Sequence, residues 1–284
     1  MSRIQAWLGG IRSHDRKYAV SVSETGNRLP TGQWLLNSEL YKSWQNEPNS
    51  WVWYYGIPGC GKTFLNATAV QDLREQYADR SDHATITFYF DFNNSRRNDL
   101  NFMLRSLIRQ LGDKLEAVSG EIHYLYTHTC MDGTREPTDD QLLETFQRSL
   151  VRFTCVFIAL DALDEAENDA DQIHDALRTL HKWDLPCVHT IITSRRESSV
   201  YECLESIIRP DRRFEIRSRA VNEDIEIWLD EQLCHGKFGK RLDKWDEPDL
   251  FKSKIKNGLM DRASGMYGSL RSSSAAKDQL ADDT

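Results

Sequence analysis

A chain of 284 residues with 39% apolar side chains carries enough hydrophobic surface to offset the entropy of ordering, which excludes a disordered protein. Its 44 acidic against 36 basic residues leave a formal charge of −8, which argues against nucleic acid as the main partner, because neutralising phosphates takes a net basic face. Residues 1–17 lack the unbroken apolar core of a secretory leader, and no run approaches ~20 apolar residues, so a soluble cytoplasmic protein with no membrane partner is expected.

In chain order, Ile4, Trp7, Leu8 and Ile11 recur at helical spacing and predict a short amphipathic segment that docks onto something larger. A polar stretch from Arg12 to Gly32 follows. Trp34 to Trp44 reads as one short helix, stopped near Glu47-Pro48, where proline removes a donor and disfavours helix before it. Strands are predicted at Trp51–Tyr55, Ala84–Phe92, Cys155–Leu160, Val188–Thr193 and Arg213–Ile216. Between them lie helical patterns, the clearest opening at Asp99 with Leu100, Met103, Leu104, Leu107, Ile108, Leu111 and Leu115 on one core-facing stripe. Strands alternating with helices imply parallel pairing through right-handed crossovers, hence an α/β sheet covered on both faces.

After Arg219 the pattern is helical only, with Val221, Ile225, Trp228, Leu229 and Leu233 in one stripe and a less regular series from Leu250 to Met260. Ser269 to Thr284 has almost nothing to bury and reads as a disordered tail. The expected organisation is therefore N-terminal helices and a linker over 1–50, an α/β domain over 51–219, the start of a helical domain over 220–268, and a tail over 269–284. Six cysteines without a C-x-x-C pair read as free thiols.

Gly56-Ile57-Pro58-Gly59-Cys60-Gly61-Lys62-Thr63 satisfies G-x-x-x-x-G-K-[ST], directly after an apolar strand and directly before a helix. Glycines let backbone N–H groups turn inward around phosphate oxygens, and the helix N-terminus adds its positive dipole end. Lysine reaches the β- and γ-phosphates, and the threonine hydroxyl ligates Mg²⁺. The candidate nucleotide-binding residues are Gly56, Pro58, Gly59, Cys60, Gly61, Lys62, Thr63 and Phe64.

The strand Cys155–Leu160 runs into Asp161-Ala162-Leu163-Asp164-Glu165, placing carboxylates at the carboxyl end of a buried parallel strand, where open α/β sheets bind ligands. Asp161 suits the Mg²⁺ shell, and Asp164 or Glu165 suits the work of orienting the attacking water. A further strand ends in Ser194-Arg195-Arg196. Arg195 is a candidate contact to the γ-phosphate, the alternative being a solvated arginine pair.

At these residues the sequence resembles the NACHT family of signal-transduction NTPases, of the STAND class, particularly the fungal incompatibility-type and nephrocystin-3-like N-terminal domains. The family's Asp, small, apolar, Asp, Glu arrangement is matched by Asp161, Ala162, Leu163, Asp164 and Glu165, and its Thr-Ser-Arg strand end by Thr193, Ser194 and Arg195. Thr31, Gly32, Trp34 and Leu35 match an upstream Thr-Gly-x-Trp-Leu segment. Phe88, Phe90 and Phe92, with Arg97 to Leu111, match a Phe-x-Phe strand followed by a leucine-rich helix. The resemblance implies an ASCE-type P-loop NTPase: five parallel strands, the Arg195 strand between those carrying the phosphate loop and Asp161. It also implies ATP or GTP with Mg²⁺, and slow hydrolysis switching a closed monomer to a homo-oligomer or an assembly with a partner NLR-like chain. Arg28 to Gly32 would then lie near base and ribose. Family members continue Ala263-Ser264-Gly265-Met266-Tyr267 into further helical and repeat regions, so a truncated or stand-alone module is expected.

His123, His128 and Cys130 lack the spacing of a zinc site and read as a polar insertion. Arg209, Arg212, Arg213, Arg217 and Arg219 read as a solvated strand edge. The function expected is a nucleotide-binding switch with slow NTPase activity, the alternative being a scaffold that holds nucleotide without turnover.

Overall fold

The computed structural model describes residues 3–9, 32–91, 99–166, 169–216 and 247–263, together with positions 222, 226, 229, 230, 233 and 234. Among these residues the sheet is five-stranded and wholly parallel, in the order β2-β3-β4-β1-β5: β1 is Ser50–Tyr55, β2 His83–Tyr89, β3 Cys155–Asp161, β4 Val188–Ser194 and β5 Arg213–Glu215. The expected topology is thus present, with β4 lying between β1 and β3. Neighbouring strands are remote in sequence, so each connection crosses over a face through helices.

Two apolar layers follow from the alternation along each strand. Trp51, Trp53, Val156, Ile158, Leu160 and Ile192 face one layer, built with α5 (Leu100–Lys114), α6 (Glu116–Tyr124), α7 (Asp139–Leu150), α8 (Ala170–Lys182) and α9 (Ser198–Ile207). Val52, Tyr54, Phe157, Ala159 and Ile191 face the other, built with α2 (Gln33–Asn37), α3 (Glu39–Asn46) and α4 (Lys62–Gln76). Strands buried on both faces are what their continuous apolar runs require.

Several expectations are corrected. The helix predicted over Trp34–Trp44 is two helices broken at Ser38, whose extended backbone lets its hydroxyl cap α3 by accepting from the Tyr41 N–H at 3.2 Å. The second strand starts at His83 and ends at Tyr89, and Phe92, with Arg97, lies outside the described residues. The stretch read as a polar insertion folds as α6 and a π-turn, Leu125–Thr129, that bury Val118, Ile122 and Leu125 in the core. Arg212 is no solvated strand-edge residue: at 5% exposure it donates to the Leu40 carbonyl at 3.2 Å and the Ser43 hydroxyl at 2.8 Å and pairs with Glu47, tying the start of β5 to α3.

At the sheet edge, the Gln110 amide of α5 completes β2 as a strand would, accepting from the Thr87 N–H at 2.9 Å and donating to the Thr87 carbonyl at 2.8 Å. The first helix, α1 (Arg3–Leu8), docks as expected: Arg105 donates to the Trp7 carbonyl at 3.1 Å and Arg109 to that of Gly9 at 2.6 Å. These guanidiniums meet the negative end of a helix too short to persist alone. Of the helical region, Leu229 and Leu233 are buried, and α10 (Pro248–Ala263) packs Met260 against the α4 layer. The readings placed on Val221, Ile225, Trp228, Arg217, Arg219, Arg28 to Thr31 and the tail lie outside the described residues. No helix among the described residues is long and apolar enough to cross a membrane.

Candidate functional site

The phosphate loop leaves β1 while still tied to β4, the Gly56 N–H donating to the Ser194 carbonyl at 3.4 Å. A Cβ at Gly56 would stand 2.8 Å from the Cys60 sulfur and 3.2 Å from the Ile216 carbonyl oxygen, so only glycine fits. Gly59 and Gly61 take φ of 76° and 89°, the left-handed backbone that curls such a loop at no steric cost. Cys60, between them, is buried, and burial pushes its thiol up, against the pull of the nearby Lys62 ammonium. The Lys62 Nζ donates to the Gly56 and Ile57 carbonyls, both at 2.9 Å, folding back across the loop. Thr63 and Phe64 follow in the first turn of α4, with Pro58 exposed at the loop tip.

Asp161, the last residue of β3, is 2% exposed. Its carboxylate accepts from the Thr193 hydroxyl, and the Thr63 hydroxyl is near enough to act on it. Burial pushes this carboxyl up, the Glu165 charge adding to the effect, while those hydroxyls and the Lys62 ammonium hold it down. The sequence readings thus bring Lys62, Thr63 and Asp161 together at the carboxyl ends of β1, β4 and β3. A buried carboxylate beside a threonine hydroxyl is a hard-oxygen donor set and fits Mg²⁺.

Three features escaped the sequence. Thr193 organises the site: its hydroxyl donates to Asp161 and accepts from the Ala162 N–H at 3.2 Å. Ala162 itself is left-handed, with φ 58° and ψ 46°, turning the chain off β3 into the short 3₁₀ helix Leu163–Glu165. That turn explains a small residue here, because a bulky side chain makes this backbone costly. Asn66, one turn into α4, is fully buried with neither amide atom partnered among the described residues.

The two acids after Ala162 have different surroundings. Asp164, its side chain 3% exposed, accepts from the Arg195 backbone N–H at 2.8 Å and pairs with the Arg195 Nε at 3.2 Å. Glu165 is half-buried and near enough for its charge to act on Asp161. Arg195 and Arg196 are both exposed, and each is nonetheless engaged by a neighbour. Arg196 places its guanidinium 4.7 Å from the Tyr201 ring centre and 5.6 Å from that of Tyr55. Ser194 links the two sides of the strand end, accepting from the Trp53 indole and donating to the Arg195 carbonyl, both at 2.8 Å.

A family profile described as "Nephrocystin 3, N-terminal" matches residues 30–195, from just before α2 through the end of β4 to Arg195. The chain belongs to this family. The nephrocystin 3 N-terminal match covers the phosphate loop, Asp161 to Glu165 and Thr193 to Arg195, and so takes in every candidate site residue. Comparison with curated proteins gives no match. Among solved structures, the chain is similar to Cdc6p from Pyrobaculum aerophilum, at 15% identity and TM-score 0.44 over 75% of this chain and 53% of that one. It is also similar to the Orc1 protein of Aeropyrum pernix in complex with DNA, at 16% identity and TM-score 0.40 over 81% and 54%. A third is the Drosophila ORC bound to DNA, at 11% identity and TM-score 0.35 over 78% and 49%. This nephrocystin 3 N-terminal chain therefore spans about half the length of the solved structures it matches.

Proposed function

We propose that the chain is a Mg²⁺-dependent nucleoside-triphosphate-binding module, with ATP or GTP as ligand, that works as a slow-turnover switch of the NACHT kind. The observation that carries this reading is the convergence of Lys62, Thr63 and the buried Asp161 where a glycine loop feeds the N-terminus of α4. Thr63 and Asp161 would hold the metal. Held by these residues, the metal would supply positive charge to offset that of the phosphates.

The remaining work falls to the chain's own residues. Lys62 exchanges the Gly56 and Ile57 carbonyls for phosphate oxygens, so the ammonium stays hydrogen-bonded in both states. Thr193 holds Asp161 in place, because the carboxylate has no solvent to reorient in. Glu165, whose charge reaches Asp161, is the acid that would orient the attacking water. Arg195 extends toward the γ-phosphate from its pair with Asp164, which makes that pair the sensing element. A cytoplasmic setting and assembly into an oligomer or with a partner chain belong to the same reading.

A non-hydrolysing scaffold is the second reading, favoured by one observation: the Arg195–Asp164 pair removes one of the two acids from the work of activating water. Thermal unfolding with Mg²⁺ and ATP, GTP or their diphosphates tests nucleotide binding. Ligand at a hundredfold over Kd adds about 2.7 kcal/mol, a midpoint shift of roughly 5–10 °C for a protein of this size. No shift with any of the four nucleotides would sink both readings, and phosphate release under the same conditions separates them.

A further inference from the structure

Asn66 lies in the interior with 0% exposure, and its amide oxygen and nitrogen both lack a hydrogen-bond partner among the described residues. A buried amide with nothing to bond is unfavourable, and native structures resolve such cases with ordered water or with a ligand. Its position narrows the choice. Asn66 follows Thr63 by three residues and Lys62 by four, so the three share one side of α4, about 4.5 Å apart along the axis for the first pair. That side packs on β3 and β4: Leu65, Ala69 and Val70 of α4 share one apolar cluster with Ala159 and Ile191.

Strand alternation puts Asp161 and Thr193, two residues beyond Ala159 and Ile191, on that same face. The unpartnered amide thus sits one helical turn behind Thr63, on the side of the sheet where Asp161 and Thr193 meet. An amide can both donate to and accept from a water, whereas the side chains of the apolar cluster on that side, Leu65, Ala69, Val70, Ala159 and Ile191, carry neither donor nor acceptor.

We infer that Asn66 is a positioning residue of the metal site, its amide holding a water that belongs to the hydration of the Mg²⁺ ion between Thr63 and Asp161. This rests on the nucleotide-binding reading above. Partners of this outer kind set metal affinity without touching the substrate.

The test titrates Mg²⁺ into the full chain at saturating ATP and, separately, GTP, reading the thermal midpoint. A fluorescent nucleotide in EDTA reports metal-free affinity alongside. Asn66→Leu and Asn66→Ala should raise the Mg²⁺ concentration for half the shift about tenfold, with metal-free nucleotide affinity held within about twofold. Asn66→Ser, which keeps a donor and an acceptor, should recover most of that loss. Asn66→Ala keeps the test open should leucine overpack the site.

Wild-type Mg²⁺ midpoints in Asn66→Leu and Asn66→Ala would overturn the inference, whatever their stability, because a purely structural amide leaves metal dependence untouched. If the wild-type chain gives no Mg²⁺-dependent shift with either nucleotide, the nucleotide reading itself falls and takes this inference with it. A normal wild-type shift with unmoved variants removes Asn66 alone.

Discussion

Asp164 and Arg195 are joined twice: the Arg195 backbone N–H donates to one carboxylate oxygen at 2.8 Å, and the guanidinium Nε lies 3.2 Å from the other. One end of this link is in the interior and the other at the surface, since the Asp164 side chain is 3% exposed and that of Arg195 47%. A buried carboxylate gripping an exposed arginine at the end of β4 fixes where the guanidinium starts from. Removing the grip should erase the distinction between tri- and diphosphate. In Asp164→Asn the ratio of the two Kd values should fall toward one, by isothermal titration, while absolute diphosphate affinity stays near wild type.

Glu165 stands near enough to Asp161 for its charge to act there. Glu165→Gln should cut phosphate release by about 10²-fold or more, the range of general-base contributions, and leave triphosphate affinity nearly unchanged. Equal release from wild type and this variant, measured under single-turnover conditions, would move the role of water activation elsewhere or favour the scaffold reading.

Lys62 donates within its own loop, to the Gly56 and Ile57 carbonyls and the Cys60 sulfur. Lys62→Ala should therefore leave the thermal midpoint of the nucleotide-free chain within about 2 °C of wild type, a change under roughly 1 kcal/mol. It should abolish the nucleotide-induced shift. A variant that binds as wild type would contradict the phosphate-loop assignment.

Thr193 is the hydroxyl on which the buried Asp161 depends. Thr193→Val keeps the shape and deletes the donor, which should cost about 1–3 kcal/mol, read by urea denaturation. Thr193→Ser should restore most of this, and the valine variant should also need more Mg²⁺ for nucleotide binding.

His174 is buried and its Nε2 lacks a partner among the described residues. Burial holds its pKa below the usual histidine value, with the Arg178 charge acting the same way. Below about pH 6.5 the unfolded chain takes up a proton that the folded one resists, so this residue costs stability as pH falls through that value. Asp161 acts in the opposite sense, because its carboxyl is pushed up and folding favours its protonated form. The comparison of wild type with His174→Leu isolates the histidine: the stability difference between them should shift in favour of the variant between pH 7.5 and 5.5, by urea denaturation at each pH.

Much of the site was legible from residue order alone. The phosphate loop was readable because an eight-residue pattern sits between a strand and a helix, and every part of its chemistry is local to those residues. The acidic strand end was readable for the same reason. The helix break at Ser38 was not, since apolar spacing continues across it and the capping hydroxyl shows only in the backbone. Arg212 was misread because a cation next to a strand looks solvated until its partners, Leu40, Ser43 and Glu47, arrive from far upstream.

The sequence by itself determined the fold class, the binding loop and the residue types at the carboxyl ends of the strands, because local periodicity and short motifs encode these. Tertiary structure alone decided the hydrogen bonds of Thr193, the burial of Asn66, the left-handed turn at Ala162, and the different surroundings of Asp164 and Glu165. Adjacent carboxylates are chemically alike, and only the packing of β3 against β4 places one on Arg195 and the other near Asp161. The physical reason is range: propensity and patterning act over a few residues, whereas burial and hydrogen bonding across the sheet depend on partners 31 and 32 residues away.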